Sequence, residues 1–227
     1  MISDTGSSWL RSSLGKKTLM ALSGLVLVGF VIMHLAGNLL VFAGPEALNA
    51  YAQKLRHFPA LLWSARLALL ASVVVHIVTS IQLARENAAA RPQRYAVYRT
   101  SEATLSSRTM MLSGLLLLAY VVYHLLHFTF RTAHPQLSRA VDSLGRHDVY
   151  AMVVSSFRQP SISLVYVAAM WLLCLHLAHG IASAFQTLGL TNERTLPILT
   201  VLGRLLAVAL FLGYSAIPFA ILCGMVK

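Results

Sequence analysis

Charged side chains are scarce in this sequence, and their scarcity excludes an ordinary soluble domain. Asp, Glu, Lys and Arg make up 11% of the 227 residues, whereas hydrophobic residues make up 57%. A soluble globular domain has about 25% charged residues. The composition therefore predicts an integral membrane protein.

Acidic residues are fewer still, with seven Asp and Glu against 18 Lys and Arg and a formal net charge of +11. The basic residues are scattered among the loops between apolar runs, and nothing resembles a nucleic-acid-binding module. Loops of this kind bind anionic lipid headgroups or acidic partner surfaces. We therefore expect membrane lipid as a partner and no nucleic acid.

Cysteine is nearly absent, which excludes a disulfide framework. The two cysteines, Cys174 and Cys223, both lie in apolar runs and are expected to be buried thiols. The sequence contains no C-x-x-C-H, so covalent attachment of a c-type haem by that route is excluded.

Five apolar runs are long enough to cross a membrane, which takes about 20 helical residues. The sequence thus predicts an all-α membrane protein, a single transmembrane domain over residues 1–227 with five spans. An odd number of spans puts the termini on opposite sides, and the Lys and Arg distribution favours a cytoplasmic N-terminus and an external C-terminus. The expected spans are residues 18–43, 60–83, 109–130, 161–187 and 196–225.

One stretch of the sequence occurs twice. Residues 23–35 read SGLVLVGFVIMHL and residues 113–127 read SGLLLLAYVVYHLLH. His34 and His124 each follow the glycine of their copy by ten residues. A polar ring deep inside an uncharged membrane helix is costly unless a partner satisfies it. Two helices with the same spacing predict one shared partner.

Four histidines fall at two depths when residues are counted from the start of each span. His34 and His124 lie toward the outer surface, whereas His76 and His176 lie about 15 Å closer to the cytoplasm. Axial ligation of a b-type haem requires two imidazoles at one depth on different helices of a bundle. We therefore predict a bundle that binds two haem b groups, with these two pairs as iron ligands.

Other interpretations of these histidines stay open. A single membrane histidine is more often an interhelical hydrogen bond or part of a proton relay. Zinc is disfavoured because Cys174 is the only thiolate or carboxylate near either level. His127 and His179 each follow a candidate ligand by three residues and share its helix face, so they are expected to be hydrogen-bond donors around the site or groups near a quinone.

Haem propionates need cationic or hydroxyl partners. Arg108 and Arg204 stand at the cytoplasmic ends of two spans, and Arg66 and Arg131 are within reach of the outer level. The alternative role of each arginine is an anchor at the membrane interface.

As a set, these residues resemble the cytochrome b membrane-anchor subunit of the succinate:quinone oxidoreductase family, which comprises succinate dehydrogenase and quinol:fumarate reductase. The branch with one five-helix, two-haem subunit is the most similar. The matching positions are residues 23–25, 34–38 and 44–49, His76, residues 107–110, Gly114, His124 and residues 176–180.

The resemblance implies that His34 and His124 hold the haem distal to the hydrophilic subunits, and that His76 and His176 hold the proximal one. It implies a flavoprotein subunit that oxidises succinate with covalently bound FAD, and an iron–sulfur subunit on the cytoplasmic face of a bacterial cytoplasmic membrane. Electrons would pass from the iron–sulfur clusters through the proximal and distal haems to a quinone. The cationic loop 85–108 is the expected docking surface, on electrostatic grounds.

The sequence departs from the resemblance at the quinone site. Some two-haem relatives have a carboxylate between the first two spans that serves quinone protonation. Here that stretch reads Lys54-Leu55-Arg56-His57, and the nearest carboxylate is Glu46. Glu46 and His57 are therefore the candidates for the proton relay. A two-haem anchor suits a low-potential acceptor, so menaquinone is the expected quinone.

Three other functions compete with this one. A two-haem anchor also serves hydrogenases and formate dehydrogenases. A transporter or proton channel could use membrane histidines, but it would need charged residues at mid-membrane, which this sequence lacks. A purely structural anchor would not be reduced by succinate.

Overall fold

The protein is described by a computed structural model that covers Trp9, residues 12–90 and residues 105–227, without the side chains of residues 105–108. A 3₁₀ turn, Leu39–Ala43, follows the helix that ends at Asn38, and a π-helical turn, Leu125–Thr129, follows the helix that ends at His124. The α-helices described are α1 (Ser13–Asn38), α2 (Pro45–Arg56), α3 (Pro59–Ala89), α4 (Leu105–His124), α5 (Val149–Phe157), α6 (Pro160–Thr187) and α7 (Thr195–Leu222).

The prediction of an all-α membrane protein is confirmed. Among the described residues, five helices are long and apolar enough to span a membrane. Large apolar side chains cover the outside of the bundle, such as Met33 at 69% exposure and Leu164 at 69%. A surface of this kind is expensive in water, but it is the surface that lipid chains contact.

The observed spans are longer than expected at two ends. The first begins at Ser13 instead of residue 18, because the Ser12 hydroxyl caps the helix by accepting from the Gly15 N–H at 3.0 Å. The second continues to Ala89, past the expected end at residue 83. At this end of the bundle Lys16 of α1 forms an ion pair with Glu86 of α3.

The long helices pack so that α1 lies between α3 and α6, and α4 and α7 both pack on α6. One apolar cluster joins α1, α6 and α7 around Leu35, Leu177 and Leu210. A second cluster lies where the short helix α5 meets α6 and α7, and it includes Val153, Tyr166 and Ile221. The thiol of Cys174 is buried as expected, but Cys223 is exposed because it caps the end of α7.

Two helices lie between the predicted spans, where no helix was expected. Proline at the first position and Glu46 in the first turn favour a helix start, and α2 begins there. Helix α5 begins after Asp148, whose carboxylate accepts from the Ala151 N–H at 2.9 Å. The two short helices contact each other. We call this end of the bundle the α2–α5 face and the end with Lys16 and Glu86 the opposite face.

A buried amide holds the two short helices together. Asn49 of α2 is 2% exposed. Its side-chain nitrogen donates to an Asp148 oxygen at 2.9 Å, and its side-chain oxygen accepts from the Tyr150 N–H at 3.0 Å. Asn49 therefore fixes α2 to the start of α5.

Replacing this amide is expected to loosen the α2–α5 face. In Asn49→Ala the Tyr150 N–H loses its acceptor, and the Asp148 carboxylate loses the bond from Asn49 but keeps the one from the Ala151 N–H. A buried group left unpaired costs about 1–3 kcal/mol. Each 1 kcal/mol lowers the Tm of a chain of this size by about 2–4 °C. Thermal unfolding in detergent measures the loss. Asn87→Ala, at an exposed position on α3, is the control and should leave the Tm unchanged; equal Tm values for both variants would contradict the role of Asn49.

Candidate functional site: two pairs of histidines

Four histidines on four different helices meet as two pairs. His34 of α1 and His124 of α4 have ring centres 5.9 Å apart, with an angle of 88° between the ring planes. His76 of α3 and His176 of α6 have ring centres 6.3 Å apart, with an angle of 64°. All four side chains are partly exposed, unlike the sealed apolar core around them. These are the juxtapositions that the depth count predicted.

The two pairs lie at two levels, and the repeated motif spans the distance between them. Gly24 of α1 faces the ring of His76, since a Cβ there would lie 3.1 Å from the His76 Cε1 atom. Gly114 of α4 faces His176 in the same way, at 3.5 Å. The ten residues from each motif glycine to its histidine therefore join the two levels, about 15 Å apart along the helix.

At the lower level, which is nearer the opposite face, the hydrogen bonds fix which ring nitrogen carries the proton. His76 Nδ1 lies 3.0 Å from the Met20 carbonyl oxygen. A carbonyl only accepts, so Nδ1 carries the proton and Nε2 of the neutral ring keeps its lone pair. His176 Nδ1 lies 3.1 Å from the Ser113 hydroxyl, and that hydroxyl donates to the Met110 carbonyl at 3.1 Å. Ser113 therefore accepts from His176 Nδ1.

Both copies of the motif thus provide an acceptor for the Nδ1 proton of a lower-level histidine, but by different contacts. Met20 and Met110 are equivalent positions, each four residues before the motif glycine. In the first copy the ring reaches the methionine carbonyl directly, and in the second it reaches that carbonyl through Ser113. Both rings are oriented with Nε2 as the nitrogen available to a metal.

At the upper level, nearer the α2–α5 face, aromatic side chains surround the pair. Phe30 stacks on His34 with ring centres 5.2 Å apart, and Tyr214 of α7 lies 6.3 Å from it. His124 lies 5.9 Å from Tyr120 and 6.0 Å from Tyr166 by ring centres. The upper pair therefore sits in an aromatic surrounding that would suit a flat apolar ligand.

His127 is not available as a metal ligand, because both of its ring nitrogens are engaged. Its Nδ1 lies 3.0 Å from the Tyr166 hydroxyl and its Nε2 lies 3.0 Å from the Ser156 hydroxyl. The residue is 1% exposed and lies in the π-helical turn after His124. His179 is partly exposed on α6, one turn beyond His176.

The separation of the two rings in each histidine pair is compatible with both rings binding one haem iron. Imidazole nitrogen lies about 2.0–2.1 Å from a bound zinc ion, so two rings on opposite sides of a similar ion have centres roughly 6 Å apart. The observed separations of 5.9 and 6.3 Å agree with that value. Zinc would need further protein ligands. Among the described residues no group of three or more His, Cys, Asp or Glu side chains could hold a metal ion.

The two quinone-side candidates lie on the α2–α5 face. Glu46 is exposed and forms an ion pair with Arg146, whose two terminal nitrogens reach its carboxylate oxygens at 3.1 and 2.6 Å. This hydrogen bonding lowers the pKa of Glu46, so its side chain is ionised near neutral pH. His57 is exposed at the C-terminal end of α2.

The arginines expected near haem propionates are only partly described. The side chain of Arg108 lies outside the described residues, as does most of the cationic loop 85–108. The guanidinium of Arg66 lies over the ring of Trp63, 5.0 Å from its centre, which is typical of a cation–π contact at a membrane interface.

Comparison with known protein families identifies the chain. The family model described as "Succinate dehydrogenase/Fumarate reductase transmembrane subunit" matches residues 84–212, which is more than half of the sequence. The chain belongs to this family. No curated protein matches it, and no solved structure matches it.

As a member of this family the chain is a membrane-anchor subunit of a succinate dehydrogenase or fumarate reductase complex. Such subunits generally bind haem b and quinone. The matched region contains His124 and His176, one histidine of each pair, whereas His34 and His76 precede it.

The two motif glycines provide a test of this arrangement. A Cβ at position 24 is tight against the His76 ring, at 3.1 Å from Cε1 and 3.3 Å from Nδ1, whereas a Cβ at position 114 makes an ordinary contact of 3.5 Å. Gly24→Ala is therefore expected to displace His76 and to lower the haem content of the purified complex. Gly114→Ala should keep the wild-type content. Equal haem content in both variants would contradict the different fits of the two rings.

Proposed function

We propose that this chain is the two-haem membrane anchor of a succinate:quinone oxidoreductase. The observation that carries the proposal is the meeting of four histidines from four helices as two pairs at two levels. Family membership supports the complex and the class of cofactor, and the pairs support the number of haems. Within the proposal the protein is one transmembrane domain of the five-helix type.

Haem b bound at each pair would supply a one-electron carrier, so two carriers would lead across the membrane to a quinone. The chain's own residues position the ligands. Met20 and Ser113 accept the Nδ1 protons of His76 and His176, which fixes the tautomer of each neutral ring and leaves its Nε2 as the nitrogen that would bind the metal. The stacked Phe30 and nearby Tyr214 restrict the ring of His34.

The orientation in the membrane follows from the loops. We propose that the opposite face, with the N-terminus and loop 85–108, is cytoplasmic, and that the C-terminus is outside in a bacterial cytoplasmic membrane. An iron–sulfur subunit, with its FAD-containing flavoprotein subunit, would dock on that face against the cationic loop. His76 and His176 would then hold the proximal haem, and His34 and His124 the distal one.

Quinone would react near the upper pair, with menaquinone as the proposed acceptor and Glu46 or His57 as the proton relay. Glu46 is ionised in its ion pair with Arg146, so it would have to gain a proton before it could donate one. His57 is exposed, and no side-chain hydrogen bond or ion pair engages its ring in the part of the chain that the structure describes. Of the two, His57 is therefore expected to matter more.

Single removal of the four ligands tests the pairing. In a redox-titrated absorption spectrum of the purified complex, His34→Ala and His124→Ala are expected to lose the same haem, because each leaves one iron with a single protein ligand. His76→Ala and His176→Ala are expected to lose the other haem. His127→Ala should retain both, since both nitrogens of His127 are engaged by protein groups. Loss of one haem by His34→Ala and of the other by His124→Ala would contradict the proposal.

The proton relay is tested by quinone-reduction rates. General acid–base catalysis contributes about 10²–10⁴-fold to a rate. His57→Ala is expected to lower the succinate-driven rate at least tenfold, and Glu46→Gln to lower it less. Lys54→Ala, at an exposed position on the same helix, serves as the control. Unchanged rates in both His57→Ala and Glu46→Gln would rule out this pair of residues as the relay.

A further inference from the structure

A chain of hydrogen bonds runs from the upper histidine pair into the sealed interior of the α2–α5 face. The Tyr166 hydroxyl lies 3.5 Å from His124 Nδ1 and 3.0 Å from His127 Nδ1. The other nitrogen of His127 lies 3.0 Å from the Ser156 hydroxyl. Tyr166, His127 and Ser156 are 6%, 1% and 0% exposed. Water therefore does not compete for these contacts.

The protons in this series of hydrogen bonds have one arrangement when His124 binds a metal. A metal at Nε2 leaves the proton of a neutral His124 on Nδ1, so Nδ1 donates to the Tyr166 oxygen. Tyr166 then donates its own proton to His127 Nδ1, and His127 carries its proton on Nε2 and donates to Ser156. The reverse order would put the His124 proton on Nε2 and abolish ligation. The tautomer of His127 is thus linked to the ligand state of His124.

This series of hydrogen bonds occurs at the upper histidine pair and, within the described ranges, has no counterpart at the lower pair. At the lower level His76 Nδ1 donates directly to the Met20 carbonyl of α1. His176 Nδ1 donates to the Ser113 hydroxyl, which in turn donates to the Met110 carbonyl of α4. At the upper level the His124 proton meets a phenol that is itself polarised by an imidazole acceptor. Chains of hydrogen bonds strengthen one another in a low-dielectric interior. The π-helical turn Leu125–Thr129 carries His127 into this chain.

We propose that Tyr166 and His127 are positioning residues for His124, which hold its Nδ1 proton and thereby lower the reduction potential of the upper haem. A stronger acceptor at Nδ1 raises the basicity of the ligand and favours ferric iron. The inference rests on the proposed function, because it requires a haem at the upper pair.

The test is a potentiometric titration of the haem spectra in the purified whole complex. Tyr166→Phe removes the acceptor of the His124 proton and keeps the ring that packs in the core. At a fixed applied potential the ratio of ferrous to ferric upper haem is expected to rise by up to about tenfold, which is 59 mV for a one-electron couple. The lower haem should not shift.

Two further variants guard against a purely structural effect. His127→Leu is expected to give a smaller shift in the same direction, whereas His127→Gln keeps an acceptor for Tyr166 and should restore a potential near the wild-type value. Tyr123→Phe is the matched control, because the Tyr123 hydroxyl pairs with His134 Nε2 at 3.1 Å and its ring lies beside Tyr166. Tyr123→Phe should leave both potentials unchanged.

The outcomes separate the inference from the proposed function. A wild-type complex without haem at the upper pair would overturn both. Two haems in the wild type, with no shift of the upper potential in Tyr166→Phe and His127→Leu, would overturn the inference alone. A shift of the lower haem, or an equal shift in Tyr123→Phe, would also overturn it.

Discussion

The structure depends on one constraint, which is that four imidazole rings inside an apolar bundle must each find partners for two nitrogens. A buried polar group without a partner costs free energy comparable to a lost hydrogen bond, and the hydrocarbon around the bundle offers none. At the lower level a backbone carbonyl or a serine hydroxyl accepts from Nδ1 of each ring, and Nε2 of each ring has no hydrogen-bond partner among the described residues. The Nε2 atoms of His76 and His176 are the nitrogens that a shared metal would bind.

The repeated motif contributes to both levels with one helix design. In α1 and α4 the histidine serves the upper level, and the glycine ten residues before it accepts the ring of a histidine from a neighbouring helix at the lower level. Each helix therefore gives a histidine to one level and space to the other. The two copies share this geometry but differ in fit, which is close at Gly24 and looser at Gly114.

Most of the bundle could be predicted from the sequence because membrane spans are governed by local composition. A run of about 20 uncharged residues is sufficient to indicate each helix. The depth of the histidines also follows from counting along a helix of fixed rise, and the structure brings together the rings that this count paired. Their role as iron ligands stays a prediction.

The features that could not be predicted from the sequence depend on contacts between residues far apart in the chain. Helices α2 and α5 were not predicted because each is short and gains its stability from the other through Asn49 and Asp148, which lie 99 positions apart. The role of Gly24 opposite His76 could not be predicted without the packing of α1 on α3. The pairing of Glu46 with Arg146 joins residues 100 positions apart, and it lowers the pKa of that carboxylate.

The two levels differ in the hydrogen bonds that their histidines make. The lower pair, close to the proposed docking face, has short hydrogen-bond links to the backbone, whereas the upper pair is joined to a buried network of tyrosine, histidine and serine. Hydrogen bonds to the ligating histidines tune a metal centre, so in the proposed function the two haems would have different potentials.

The central claim is that this single chain holds two haem groups, one between each pair of histidines. The most direct test is the ratio of haem b to this subunit in the purified complex, determined by a haemochrome spectrum and quantitative amino-acid analysis. Two haems per chain are expected. A ratio of one or zero in a fully assembled complex would contradict it.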